Sequence, residues 1–270
     1  MILAAIDIGS NAARLLITEV TLDQTGKPCF NKLNLVRVPL RLGFDVFENQ
    51  QISREKQDML LQTMKAYRAL MNAYKVEALK ACATSAMRDA ENAQDILQRV
   101  FMETGISIEI ISGDMEANLV YENHVAENLD KDHSYLYIDV GGGSTELSFF
   151  SNGVLVHKHS YNIGTIRLLK NTVRESDWEF LKDSIKSVTK GHKEVIAIGS
   201  GGNINKVFSM SKRKDGKPLH IDLLRDYYKE MDAFTPAERI IRYNLREDRA
   251  DVIVPALLIY INAMRWAGAN

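Results

Sequence analysis

Short apolar runs broken by polar turns fill the first forty positions of the chain. Residues 2–8 and 13–20 are apolar on either side of Gly9-Ser10-Asn11, which predicts a hairpin, and a further strand is expected at 33–40. From Ser53, a suitable N-cap, the spacing lengthens to three and four residues. Met59, Leu60, Met64, Tyr67, Leu70, Met71 and Tyr74 then share one face of a predicted core helix. Residues 79–84 read as a strand, 92–103 as a helix with Ile96, Leu97, Val100 and Phe101 inward, and 106–111 as another strand. Strand, helix, strand implies a parallel sheet.

The pattern restarts at Ser134. Strands are expected at 135–140, 145–150 and 154–161, separated by a glycine-rich turn and by Asn152-Gly153. Ser176-Asp177-Trp178-Glu179 and Thr235-Pro236-Ala237-Glu238 match capping boxes, the second with proline at the first helical position. Between them residues 195–198 form a short buried strand that runs into Gly199-Ser200-Gly201-Gly202-Asn203. The two halves resemble each other, and the polar stretch 127–134, which has no periodicity, divides them into expected domains 1–126 and 127–270.

Composition narrows the class. Of the 270 residues 46% are hydrophobic and 26% charged, as in an ordinary soluble globular protein. A net charge of -1 gives no global attraction to nucleic acid or an acidic membrane, so neither is an expected partner. Cys29 and Cys82 are far apart in sequence, which fits a reducing compartment and argues against structural zinc. The apolar N-terminus lacks a basic flank and meets Asp7 too soon for a signal peptide or a membrane span, so it reads as a buried first strand of a cytoplasmic protein. Lys212-Arg213-Lys214-Asp215-Gly216-Lys217 reads as a solvated loop.

Two segments carry chemistry of one kind. Ile6-Asp7-Ile8-Gly9-Ser10-Asn11 and Ile138-Asp139-Val140-Gly141-Gly142-Gly143-Ser144-Thr145-Glu146 each join an apolar run ending in Asp to a hydroxyl-bearing glycine turn. Such turns bare amide hydrogens and make an anion-binding concavity, while the aspartate holds a divalent cation or a water that bridges to phosphate. Three consecutive glycines weaken a strand and point to close approach by a ligand. Glu146, on the strand after the turn, is placed to share a cation with Asp139. Ser112-Gly113-Asp114-Met115-Glu116 runs from a strand into a helix and sets Glu116 in the first turn, where the dipole keeps a carboxylate ionised and able to orient a water. Ala83-Thr84-Ser85-Ala86-Met87-Arg88 offers hydroxyls and a phosphate-gripping guanidinium, with Arg14, Arg41 and Arg167 as further candidates. His157 and His159 share a strand face and read as solvated edge residues.

Taken in order, these motifs, together with Arg249-Ala250-Asp251-Val252-Ile253-Val254-Pro255, resemble the exopolyphosphatase / guanosine pentaphosphate phosphohydrolase (Ppx/GppA) phosphatase family. The resemblance implies a duplicated actin-like, ribonuclease-H-like α/β fold with its active site in the cleft between two domains. It implies hydrolysis of a terminal phosphate from polyphosphate, or of the 5'-gamma-phosphate of guanosine pentaphosphate, with Mg2+ or Mn2+. On the matching positions Glu116 takes the catalytic base role. Asp7, Asp139 and Glu146 organise metal or water, and Ser10, Asn11, Arg88, Gly141, Gly142, Gly143, Ser144 and Thr145 bind phosphate. Polyphosphate or a guanosine polyphosphate is then the partner, and a homodimer is allowed. Met115 and Asn203 depart from the family pattern. The sequence ends at Asn270, where relatives continue into a strand, a glycine turn and a helix, so the second domain is expected to lack its closing elements. A kinase or ATPase of the same fold, and a nucleotide sensor without turnover, are the competing readings.

Overall fold

The computed structural model describes residues 1–122, 132–192, 194–213 and 217–270, with side chains described to residue 119 in the first stretch. The chain divides into two compact units, Met1–Ser112 and Gly113–Asn270. The expected boundary at 127–134 lies largely among residues outside those described, as does the middle of the basic run 212–217.

The first unit runs β1 (Ile2–Ile8), β2 (Ala13–Leu22), β3 (Pro28–Val38), α1 (Gly43–Asn49), α2 (Arg54–Ala73), β4 (Ala78–Ala83), α3 (Ser85–Asp89), α4 (Ala93–Thr104) and β5 (Glu109–Ile110). Its sheet has the order β3-β2-β1-β4-β5, with β2 antiparallel to both neighbours and β4 parallel to β1 and β5. Alternation drives the arrangement: Ala4, Ile6 and Ile8 of β1 and Ala13, Leu15 and Ile17 of β2 are buried, as period two requires of one sheet face. On α2 the buried stripe is Leu60, Met64, Tyr67 and Met71, and the Tyr67 hydroxyl reaches the Ala13 carbonyl oxygen at 3.0 Å. Met59 and Phe101, both expected inward, are exposed. Each follows or precedes a buried stripe position by one residue, a rotation of about 100° that carries it off the apolar face.

The second unit begins with α5 (Gly113–Glu122), then β6 (Ser134–Val140), β7 (Thr145–Ser151), β8 (Val154–Tyr161), α6 (Thr165–Leu169), α7 (Glu175–Thr189), β9 (Val195–Ser200) and α8 (Gly202–Met210). It ends with α9 (Ile221–Asp232), α10 (Pro236–Tyr243), α11 (Glu247–Ala250) and α12 (Ile253–Ala267). Its sheet has the order β8-β7-β6-β9 and repeats the strand directions of the first four positions of the other sheet. The duplicated actin-like α/β fold is therefore present, with a fifth strand only in the first sheet among the described residues. The stretch Glu247–Ala267, apolar enough to resemble a membrane span by length and composition, contains α12, a core helix of the second unit. Its Ile253, Leu257, Ile259 and Tyr260 are buried with Leu136, Ile138 and Leu147 of the sheet.

Two local expectations are corrected. Helix α7 starts two residues earlier than the Ser176 box suggested: Arg174 is the N-cap, and Asp177 accepts from the Arg174 amide at 3.0 Å and from its guanidinium. His157 and His159 lie on the edge strand β8 as expected but are half-buried rather than solvated. Their rings lie 6.4 Å apart; His159 packs edge-on against Tyr161 and Phe180, and His157 Nε2 meets the Tyr161 hydroxyl at 3.1 Å. The Thr235 box forms as expected, with Glu238 accepting from the Thr235 amide at 2.8 Å and Pro236 at the first position.

Candidate functional site

Both glycine turns are built to one plan. In the first unit β1 and β2 end in the pairs Asp7↔Arg14 and Ile8↔Ala13; in the second, β6 and β7 end in Asp139↔Glu146 and Val140↔Thr145. The four residues between are closed by one backbone bond, Gly9 amide to Ala12 carbonyl at 3.0 Å and Gly141 amide to Ser144 carbonyl at 2.9 Å.

The following segment then ties down the turn's carbonyls. In the first unit the amides of Gly43 and Arg41 donate to the carbonyls of Ser10 and Asn11 at 2.8 and 2.9 Å. In the second unit Thr165 donates its amide to the Gly141 carbonyl at 3.0 Å and Ile166 to that of Gly142 at 2.8 Å, while Arg167 Nε donates to that of Gly143 at 2.7 Å. With the carbonyls engaged by protein donors, the amides of Gly142 and Gly143 have no protein acceptor among the described residues. That is the electrostatic requirement of an anion nest.

The close fit depends on Gly164. A methyl there would lie 2.4 Å from the Gly142 carbonyl oxygen and 2.5 Å from the Gly143 carbonyl carbon. Thr145, fully buried, donates its hydroxyl to the Ile163 carbonyl at 2.6 Å. Its role is thus to fasten the turn to the 162–164 segment between β8 and α6. Ser144 is buried as well.

In the first unit Ser10 is buried and shares a 2.8 Å hydroxyl–hydroxyl hydrogen bond with Ser85, which opens α3. The Thr84 amide donates to the Ile8 carbonyl, so the strand-end segment 83–85 lies beside the turn. Arg88 donates from Nη1 to the Ile111 carbonyl at 2.8 Å, which ties α3 to the end of β5. Asp7 pairs with Arg14 at 3.2 Å; desolvation, the largest influence, raises the Asp7 carboxyl, and the guanidinium opposes it. Arg41 instead sits in the left-handed region (φ 53°) with its guanidinium 4.0 Å over the Phe44 ring.

In the second unit Glu146 is buried, and Ser160 donates to its Oε1 at 2.7 Å. Helix α5, with Glu116 in its first turn, packs on β7 and β8, the strands that carry Glu146 and Ser160. The third glycine turn completes this half. Gly201 has φ 103° and sits where a side chain would lie 3.1 Å from Asp139 Oδ1; Gly202 opens α8 against the Arg249 guanidinium, with 2.5 Å between a notional Cβ and Nη2. Beneath it the Tyr260 hydroxyl hydrogen-bonds the Ser200 carbonyl. Burial, then the nearby Asp139 carboxylate, push the Tyr260 phenol well above its ordinary range, so it stays a neutral donor.

The structure thus gathers Gly141, Gly142, Gly143, Ser144, Thr145, Asp139 and Glu146 about one turn, with α5 on the same strands. Asp7, Ser10 and Asn11 stand at the other, with Ser85 of α3 against Ser10, while the Arg88 guanidinium is engaged by the Ile111 carbonyl. Sequence reasoning assigned no role to Ser160, Gly164 or Tyr260. A glycine three residues before an arginine was the only local sign of Gly164's importance. Among the described residues no three His, Cys, Asp or Glu side chains gather at one point as metal ligands.

Residues 24–266 match the model of the Ppx/GppA phosphatase family. The chain is 31% identical over 247 residues to a bifunctional 3-dehydroquinate synthase/phosphatase of Fusobacterium nucleatum, a match covering 82% of this chain and 36% of that protein. It is 31% identical over 148 residues to exopolyphosphatase 1 of Mycobacterium tuberculosis, covering 55% of this chain and 42% of the other. It therefore spans less than half the length of these curated relatives. Among solved structures, the Aquifex aeolicus Ppx/GppA family member superposes with a TM-score of 0.74 at 26% identity, covering 100% of this chain and 92% of that one. An exopolyphosphatase from Cytophaga hutchinsonii superposes at 0.79 and 25%, covering 98% and 91%. Twin strand-turn-strand units, a triple-glycine nest and a family match over nearly the whole sequence lead to one assignment: this chain belongs to the Ppx/GppA phosphatase family.

Proposed function

We propose that the protein is a phosphoanhydride hydrolase that releases the terminal phosphate of inorganic polyphosphate, or the 5'-gamma-phosphate of guanosine pentaphosphate. The observation that carries this reading is the second unit's turn. Its carbonyls are engaged from behind, its glycine amides are left for an anion, and two carboxylates flank it on paired strands.

Asp139 and Glu146 fit a hard divalent cation, because Mg2+ is commonly held by one or two carboxylates with water and phosphate oxygens completing its shell. A bound Mg2+ or Mn2+ would neutralise charge developing on the phosphate oxygens.

The protein's own groups do the rest. Amides of the 141–145 turn hold the terminal phosphate. Ser10, Asn11 and Arg88 of the first unit are phosphate-binding candidates in their own right. Glu116 orients a water in line with the terminal phosphorus and takes its proton as the water oxygen bonds to phosphorus. The bond from that phosphorus to the bridging oxygen breaks, and the shortened chain leaves with that oxygen. Such positioning and charge stabilisation supply most of phosphoryl-transfer catalysis.

Phosphate release from long-chain polyphosphate, guanosine pentaphosphate and ATP, with and without Mg2+, tests the reading. Metal-dependent release from either of the first two, lost in Glu116→Gln, is expected. Binding of guanosine pentaphosphate with no release would convert the reading to a sensor, and preference for ATP to an ATPase.

A further inference from the structure

We propose that Ser160 is a positioning residue that sets the Glu146 carboxylate for cation binding and couples it to the helix carrying Glu116. The inference rests on the reading of Asp139 and Glu146 as the cation-holding pair. Ser160 and Glu146 are direct cross-strand partners on β8 and β7. Glu146 is buried, and the Ser160 hydroxyl donates to its Oε1 at 2.7 Å. A serine hydroxyl has one hydrogen to give, and here it is spent on the carboxylate. Fixing Oε1 fixes the plane of the whole group, since both oxygens share one carbon.

The other side of Ser160 meets α5. A methyl on Gly113, the first residue of that helix, would lie 2.8 Å from Ser160 Cβ and 2.9 Å from its Oγ. Rotating the serine relieves only the second contact, because Cβ belongs to the backbone frame. The start of α5 therefore rests directly on Ser160, three residues before Glu116. One small side chain touches both the acid beside the glycine turn and the seat of the helix that bears the proposed base. Partners that orient a metal-ligating carboxylate commonly change metal affinity or activity by about 10- to 100-fold when removed.

The test uses Mn2+ as probe, with binding followed by electron paramagnetic resonance in the full chain and melting temperature recorded in parallel. Ser160→Ala is expected to weaken Mn2+ binding about tenfold or more and to raise the metal concentration needed for half-maximal phosphate release. Gly113→Ala keeps every donor and acceptor but displaces the serine, and is expected to weaken Mn2+ binding in the same direction. Ser148→Ala, a buried neighbour on β7 with no bond to Glu146, serves as control and is expected to bind as the wild type does.

Affinity within twofold of wild type in both Ser160→Ala and Gly113→Ala, or an equal loss in Ser148→Ala, would overturn the inference. A wild-type protein that takes up no Mn2+ overturns it as well. If Mn2+ binds and responds to these variants but no substrate is cleaved, the positioning role is supported and the hydrolase reading fails.

Discussion

Gly164→Ala isolates what the triple-glycine turn needs. Gly164 has φ -139° and ψ 164°, extended values that alanine adopts without strain, so any effect comes from the added methyl alone. That methyl would sit 2.4 Å from the Gly142 carbonyl oxygen and 2.5 Å from two carbonyl carbons, all backbone atoms. Ordinary contact begins near 3.4 Å, so the turn or the 163–167 segment must give way by about 1 Å. Overpacking of this size typically costs about 1–3 kcal/mol, a fall of roughly 2–12 °C in melting temperature for a unit this large. Misplacing a catalytic element by about 1 Å costs on the order of 100-fold in rate. Phosphate release from polyphosphate at 25 °C, where the variant stays folded by circular dichroism, is expected to fall by that order. Wild-type turnover with a wild-type melting temperature would refute the argument that the carbonyls are held from behind by close packing.

Three further outcomes follow from the same geometry. Tyr260→Phe removes the hydroxyl that bonds the Ser200 carbonyl; a loss of about 1 kcal/mol is expected in denaturant unfolding, with phosphate release reduced because Gly201 lies against Asp139. Ser10→Ala leaves the buried Ser85 hydroxyl without its partner and should cost about 1–2 kcal/mol, whereas adding Ser85→Ala should cost less than the two singles combined, which a double-mutant cycle measures. Burial, then the neighbouring His159, hold the His157 imidazole below its ordinary 6.5. The unfolded chain thus binds more protons there, so stability is full above pH 6.5 and is lost as pH falls toward the folded value, with a slope of at most about 1.4 kcal/mol per pH unit for one proton. His157→Asn should flatten that acid limb, and an unchanged profile would remove His157 as its source.

Period and punctuation made most of the strands legible. Residues 2–8, 135–140 and 154–161 alternate or cluster apolar side chains between glycine turns, and the structure places strands on them within one residue. What the periodicity could not give was the phase of a helix face to a single residue. Met59 and Phe101 sit one step from buried neighbours, and an apolar side chain does not itself reveal which side of its stripe it lies on. Capping was similarly ambiguous in 174–179, where two acids three residues downstream of polar candidates compete and the guanidinium of Arg174 decides for Asp177. The glycine turns were visible because glycine is costly in a strand. Their supports were not, since Gly164, Ser160 and Tyr260 act across separations of 14 to 60 residues that local pattern does not reach.

Duplication also sharpens the division of labour between the two turns. By strand register Arg14 and Glu146 occupy equivalent positions, each paired with the aspartate that ends the preceding strand. The first pair is electrically balanced, and its charges meet directly at 3.2 Å. The second pair sets two carboxyl groups beside a nest of amides suited to an anion. Two carboxylates and a phosphate cannot occupy one site at low dielectric without repulsion of several kcal/mol at any plausible separation. On the proposed reading a cation between them reverses the sign of the interaction, whereas in the first turn Arg14 already stands against Asp7. On the proposed reading one backbone plan supports two opposite electrostatic tasks, and the residue opposite the aspartate, Arg14 in one unit and Glu146 in the other, separates them.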